Sequence, residues 1–86
     1  MNWNVYLLEC SDQTIYCGIT NNLEKRLKVH NKGKASKYTR GRLPVKLLYS
    51  KAVSTRSEAL KLEYFIKQMD KKNKRVLIQS NEPLAS

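Results

Sequence analysis

Two short runs near the N-terminus constrain what this chain can fold into more than any other feature. Residues 3–9 and 14–19 are rich in β-branched and aromatic side chains, and a polar turn, Ser11-Asp12-Gln13, separates them. That spacing predicts a β-hairpin. Gly18, inside the second run, marks either a bulge or a close approach by another part of the chain. Next, Asn21 reads as a helix N-cap with Glu24 as its capping-box partner. The helix extends to about His30, with Leu23 and Leu27 on one face, and Gly33 suits its C-terminal end. Residues 34–44 read as a basic loop and residues 45–53 as a third strand.

Thr55 and Glu58 form a second capping-box pair. The helix they open runs to about Met69, with Ala59, Leu62, Ile66 and Met69 as its core stripe. Residues 70–78 form a short last helix with a basic face. Residues 81–86, which include Pro83, are expected to be a frayed, disordered tail. The order strand, strand, helix, strand, helix, helix predicts an α+β architecture with the helices packed on one small sheet. Residues 1–80 are expected to form a single domain.

With 86 residues and 41% hydrophobic side chains, the chain can bury one modest core. A deep pocket has little room, so an open groove is the expected site. No apolar run has the length of a membrane span, and the first residues lack the pattern of a signal peptide. The expectation is a soluble, cytoplasmic protein with no membrane partner. Cys10 and Cys17 read as free, half-buried thiols, since two cysteines and one histidine do not make a structural zinc site.

The formal net charge is +10, and its distribution is informative. Residues 25–57 hold eleven cations and no carboxylate. Ordinary surfaces intersperse both signs, whereas this segment would create a positive field that attracts polyanions. Nucleic acid is the expected partner, with DNA first and RNA as the alternative. The expected contacts are Lys25, Lys28, Lys34, Lys37, Arg40 and Arg42, with Tyr38 among them. A merely solubilising surface is the bland alternative.

Three groups of residues can carry chemistry. Tyr6 and Tyr16 lie on facing strands near Gly18, where two phenols can hydrogen-bond a phosphate oxygen or a water. One would act as a general base if nearby cations lowered its pKa. The alternative is an ordinary cross-strand aromatic pair. Arg26 and His30 are four apart and share a helix face; the first suits a phosphate, and the second can relay a proton. Glu63 has Ala59, Leu60 and Ile66 as helical neighbours, so its carboxylate needs a partner. Lys67 is one candidate. A divalent ion is the other, since Mg²⁺ needs only one or two carboxylates.

These residues, in this order, resemble the GIY-YIG nuclease superfamily, and within it the short stand-alone bacterial members. The first motif appears as Asn4-Val5-Tyr6 and the second as Tyr16-Cys17-Gly18. Leu23-Glu24-Lys25-Arg26-Leu27 with His30 and Asn31 matches the helix motif. The basic segment from Lys37-Tyr38-Thr39-Arg40 through Val45 is similar to the stand-alone subfamily's loop. Arg56-Ser57-Glu58-Ala59-Leu60, followed by Glu63, matches its second helix motif. The chain departs from the pattern at Asn4 and Cys17, and its turn lacks a glycine.

The resemblance implies a three-stranded antiparallel sheet flanked by helices. It also implies an endonuclease that hydrolyses DNA phosphodiesters with one Mg²⁺ or Mn²⁺ ion, acting on nicked, branched or single-stranded forms. By that analogy Glu63 holds the metal and Arg26 stabilises the transition state. Tyr6 and Tyr16 position or deprotonate the water, and His30 supports one of them. Asn73 corresponds by position alone to an asparagine that some relatives use. The alternatives are a non-catalytic nucleic-acid-binding module of the same fold and a small basic protein that docks on a larger nucleoprotein or an acidic partner.

Overall fold

Strands β1 (Trp3–Glu9) and β2 (Ile15–Thr20) form the expected hairpin. The computed structural model describes residues 2–80; Met1 and residues 81–86, including the expected tail, lie outside the described residues. β2 begins one residue later than the composition suggests because Thr14 is drawn into the turn. The Asp12 carboxylate accepts from the Thr14 N–H at 3.1 Å and from its hydroxyl at 2.6 Å. Gln13 takes φ 68°, a conformation cheapest for glycine. The turn thus closes without a glycine, at some cost in backbone strain.

α1 (Leu23–Asn31) starts one residue later than expected. The Thr20 hydroxyl accepts from the Asn22 N–H, so Asn22 rather than Asn21 becomes the cap and accepts from the Lys25 N–H at 3.1 Å. Glu24 consequently makes no capping box and pairs with Lys28 at 3.7 Å across an exposed helix turn. At the other end, the Asn31 side chain accepts from the Val45 N–H at 2.9 Å and donates to the Val45 carbonyl. This ties α1 to the chain entering β3.

The basic segment is not all loop. Ser36 caps a single turn, α2 (Lys37–Arg40), by accepting from the Tyr38 N–H. β3 (Lys46–Val53) follows and pairs antiparallel with β1, so the sheet order is β2-β1-β3. Leu7 faces Tyr49 and Leu8 faces Leu47, leaving Leu48 as the extra residue of a bulge. α3 (Arg56–Lys67) is capped by Thr55, which accepts from the Glu58 N–H and donates to the Glu58 carboxylate. α4 (Lys71–Ser80) follows after Asp70 accepts from the Asn73 N–H at 2.8 Å.

Alternation along β1 sends side chains into two separate cores. Val5 and Leu7 pack with Cys17, Tyr49, Ala59 and Ile66, beneath α3 and α4. Tyr6 and Leu8 pack with Cys10 and Val45 on the other face, with Leu23 and Leu27 of α1 against them. The central strand is therefore covered on both faces, and its Val5–Leu8 run is continuously buried. Each fully buried aliphatic side chain there contributes about 1.5–3 kcal/mol. Of the α3 stripe, Ala59 and Ile66 are buried, Leu62 is half-buried, and Met69 lies beyond the helix end.

Candidate active site

The hairpin register sets the first contact. Tyr6 lies directly across from Gly18, and Leu8 across from Tyr16. Tyr16 is thus the diagonal neighbour of Tyr6, with ring centroids 6.3 Å apart. A Cβ on Gly18 would lie 2.6 Å from the Tyr6 hydroxyl oxygen and 3.0 Å from the Tyr16 ring. Gly18 is therefore a site of close approach, and the sheet's bulge lies elsewhere, between β1 and β3.

His30 completes this group from α1. It is fully buried, 2.9 Å from the Tyr6 hydroxyl through Nε2 and 2.9 Å from the Thr39 hydroxyl through Nδ1. The direction of the chain follows from its far end. Thr39 Oγ1 donates to the Ser36 carbonyl at 3.4 Å, so it accepts from His30 Nδ1–H. Nε2 is then the unprotonated nitrogen and accepts from the Tyr6 O–H. Thr39, also fully buried, is a site residue that sequence reasoning missed. It stands nine positions from His30 on a single helical turn, within the segment similar to the subfamily's loop, where its residue type alone gives no sign of the contact.

Burial pushes the Tyr6 phenol well above its ordinary range, and neighbouring Tyr16 adds to this; Arg26 opposes it, while Cys17 and Glu63 reinforce it. The condition for a tyrosine base, cations lowering its pKa, is therefore not met at Tyr6: Arg26 acts in that sense, but desolvation wins. Burial likewise depresses His30, and the Arg26 charge depresses it further. The Arg26 charge on α1 and the Glu63 charge on α3 thus act on the Tyr6 phenol in opposite senses, both weaker than burial. The Tyr16 hydroxyl has no protein hydrogen-bond partner among the described residues.

A depressed His30 also predicts a pH dependence of stability. The unfolded chain takes up the His30 proton below about pH 6.5, whereas the folded chain resists it. Stability is therefore fully present above about pH 6.5 and falls as pH drops toward the lower folded value, by up to about 1.4 kcal/mol per pH unit. Thermal melts between about pH 5.5 and about pH 7.5 should show this loss, and His30→Gln should flatten it. An unchanged slope in the variant would show that His30 is not held neutral.

Glu63 is mostly buried, with 19% of its side chain exposed, and pairs with Lys67 at 3.4 Å. Among the described residues no three His, Cys, Asp or Glu side chains gather as a metal site. Both nitrogens of His30 are occupied by hydrogen bonds. A single carboxylate such as Glu63 suffices for a hard ion held mainly by water and phosphate oxygens, and in this structure Glu63 is engaged by Lys67.

The remaining expected contacts divide. Lys25, Arg26 and Lys34 line a cavity of about 370 Å³ beside the start of α1. Lys34, Lys37 and Arg40 line a second of about 360 Å³. Lys28 is exposed and paired with Glu24. Arg42 is committed to the fold: its guanidinium donates to Asp12 at 2.9 Å and to the Tyr38 carbonyl at 2.6 Å, and lies 4.2 Å over the Tyr38 ring. Asn73 is exposed in the first turn of α4. Cys10 and Cys17 are free thiols, buried more deeply than expected, and burial, with Glu63 nearby, pushes Cys17 up to about 12.

The comparisons with known proteins bear on family and fold. The family model of the GIY-YIG catalytic domain matches residues 2–76. A UPF0213 protein of Bacillus licheniformis is 54% identical over 74 residues, covering 86% of this chain and 76% of that protein. A UPF0213 protein of Clostridium perfringens is 51% identical over 80 residues, covering 93% and 85%. The solution structure of a UPF0213 protein from Bacillus halodurans superposes with a TM-score of 0.63 at 39% identity, covering 96% of this chain and 89% of that one. The solution structure of a protein from E. faecalis superposes with a TM-score of 0.65 at 35% identity, covering 93% of this chain and 85% of that one. No helix among the described residues is long and apolar enough to cross a membrane. With its tyrosine pair, its glycine and its three-stranded sheet in the expected places, the chain belongs to the GIY-YIG nuclease family, and bacterial UPF0213 proteins are among its relatives.

Proposed function

We propose that this protein is a metal-dependent endonuclease that hydrolyses DNA phosphodiester bonds, with nicked, branched or single-stranded DNA as its preferred forms. The observation that carries this reading is the buried cluster in which the Tyr6 hydroxyl meets His30 Nε2 at 2.9 Å, with the Tyr16 ring 6.3 Å from that of Tyr6 and 5.3 Å from that of His30. Tyr6 is too reluctant to ionise to be a standing phenolate. It works instead as a conduit, taking a proton from the attacking water as it passes its own to His30 Nε2. Tyr16, whose hydroxyl has no protein partner among the described residues, orients the water or a phosphate oxygen. Arg26 offers a fork of donors to the phosphate as charge builds on it. Glu63 would hold a Mg²⁺ or Mn²⁺ ion, which when bound polarises the phosphoryl oxygen and stabilises the leaving oxygen. Cleavage of end-labelled nicked, branched, single-stranded and intact duplex DNA by the purified protein tests the reading. Metal-dependent cutting with a preference among these forms supports it, and equal resistance of every form opposes it.

Thr39 has a positioning role in this scheme. Thr39→Val keeps the shape but leaves the His30 Nδ1–H without an acceptor, a cost of about 1–3 kcal/mol. Cleavage should fall by about tenfold or more, Thr39→Ser should restore it, and the ¹⁵N shifts of His30 should lose their single-tautomer pattern. Unchanged shifts would remove Thr39 from the mechanism.

A second reading, a non-catalytic nucleic-acid-binding module of the same fold, is favoured by one observation. Lys67 already satisfies Glu63 as an ordinary i,i+4 ion pair.

A further inference from the structure

At the free edge of β2 a cavity of about 230 Å³ lies apart from the two basic cavities beside α1. Its floor is Ile15, Tyr16 and Cys17 of β2. One wall is Tyr38 of α2, and the other is Lys67 and Lys74 from α3 and α4. It therefore joins the two helical layers at the sheet's edge. Neither lysine is among the contacts expected from the sequence. The Lys74 ammonium has no carboxylate partner among the described residues, and Lys67 shares Glu63 at 3.4 Å.

The rings connect this cavity to the catalytic cluster. Tyr16 is 5.3 Å from His30 and 5.8 Å from Tyr38, and the rings of Tyr16 and Tyr38 are tilted by only 31°. Arg42 stiffens Tyr38 by covering its ring at 4.2 Å, yet Tyr38 remains 39% exposed. Tyr16 thus belongs both to the cluster around Tyr6 and to the cavity floor. A small space with an aromatic wall and paired ammonium groups suits one planar base and its phosphate. An uninterrupted duplex cannot use it, because its base faces are already stacked on one another.

We propose that this cavity is the subsite for a single unpaired nucleotide next to the scissile phosphate, its base against Tyr38 and Tyr16 and its phosphate at Lys74 and Lys67. This rests on the nuclease reading above and adds to it a structural basis for preferring DNA with an unpaired nucleotide.

The test uses the whole chain in chelator, so that binding is read without cleavage. Fluorescence anisotropy compares a blunt duplex with the same duplex carrying a short single-stranded flap. A 2-aminopurine at the first unpaired position reports stacking through loss of its fluorescence. The wild type should bind the flap at least about five times more tightly than the blunt duplex, as a stacked base requires, and should quench the probe. Lys74→Ala and Tyr38→Leu should each bring the ratio down toward one, with Tyr38→Phe retaining it. Lys51→Ala, which removes a cation from the opposite edge strand, should weaken both ligands alike. If Lys74→Ala and Tyr38→Leu leave the ratio and the quench untouched while both DNAs still bind, the subsite is wrong and the nuclease reading survives. If the wild type binds neither DNA, the nuclease reading fails and the subsite fails with it.

Discussion

Gly18→Ala should destabilise the protein and silence the site in one step. The added methyl would sit 2.6 Å from the Tyr6 hydroxyl oxygen and 2.8 Å from its Cζ. Neither neighbour is a free end: Tyr6 is buried and hydrogen-bonded to His30. Forcing volume into a packed site costs about 1–3 kcal/mol. For a domain of this size that is a fall in Tm of roughly 5–20 °C. Displacing Tyr6 by a fraction of an ångström also breaks its alignment with His30, and misplacement on the order of 1 Å costs about 10²-fold in rate. A double-mutant cycle locates the cause. Tyr6→Phe removes the oxygen, so Gly18→Ala should cost less in that background, with a coupling of about 0.5–3 kcal/mol. Additive costs would show that the methyl strains something other than Tyr6.

Glu63→Gln should have the larger effect on chemistry and the smaller one on stability. The change keeps the shape and removes the charge. The ion pair with Lys67 is lost, but it lies at a partly exposed helix edge, where such pairs contribute roughly 0.3–0.5 kcal/mol. The loss in cleavage should be at least about 10²-fold, because a metal-supplied electrostatic term is worth several kcal/mol. DNA binding should hold or strengthen, since a carboxylate beside a phosphate repels it. Fluorescence anisotropy and single-turnover cleavage on the same DNA separate the two effects. Parallel loss of binding and cleavage would make Glu63 a structural residue.

The features legible in the sequence are those that depend on local periodicity. The hairpin, its register and the meeting of Tyr6 with Gly18 follow from period-two alternation and a short turn. The Thr55 cap and the Ala59 and Ile66 contacts follow from helical spacing. The features that stayed hidden depend on segments distant in sequence. Thr39 matters because α2 folds beneath α1, and four residues with no apolar rhythm do not announce a helix. Arg42 reads as a free cation until the fold brings Asp12, thirty positions earlier, against it. Asn22 displaces Asn21 as cap because the Thr20 hydroxyl holds the turn. The rise at Tyr6 is hidden for a related reason: sequence displays the cation that opposes it but not the depth of burial that overrides it.

Cutting of DNA by this small basic domain with Glu63 and a divalent ion is read out by the nicking of supercoiled plasmid. Wild type and Glu63→Gln would be purified in parallel and assayed in Mg²⁺, in Mn²⁺ and in chelator. The account predicts nicking by the wild type in metal alone, with none from the variant. Equal nicking by both proteins, or none by a wild type that still binds DNA, would contradict it and leave Glu63 as the ion-pair partner of Lys67.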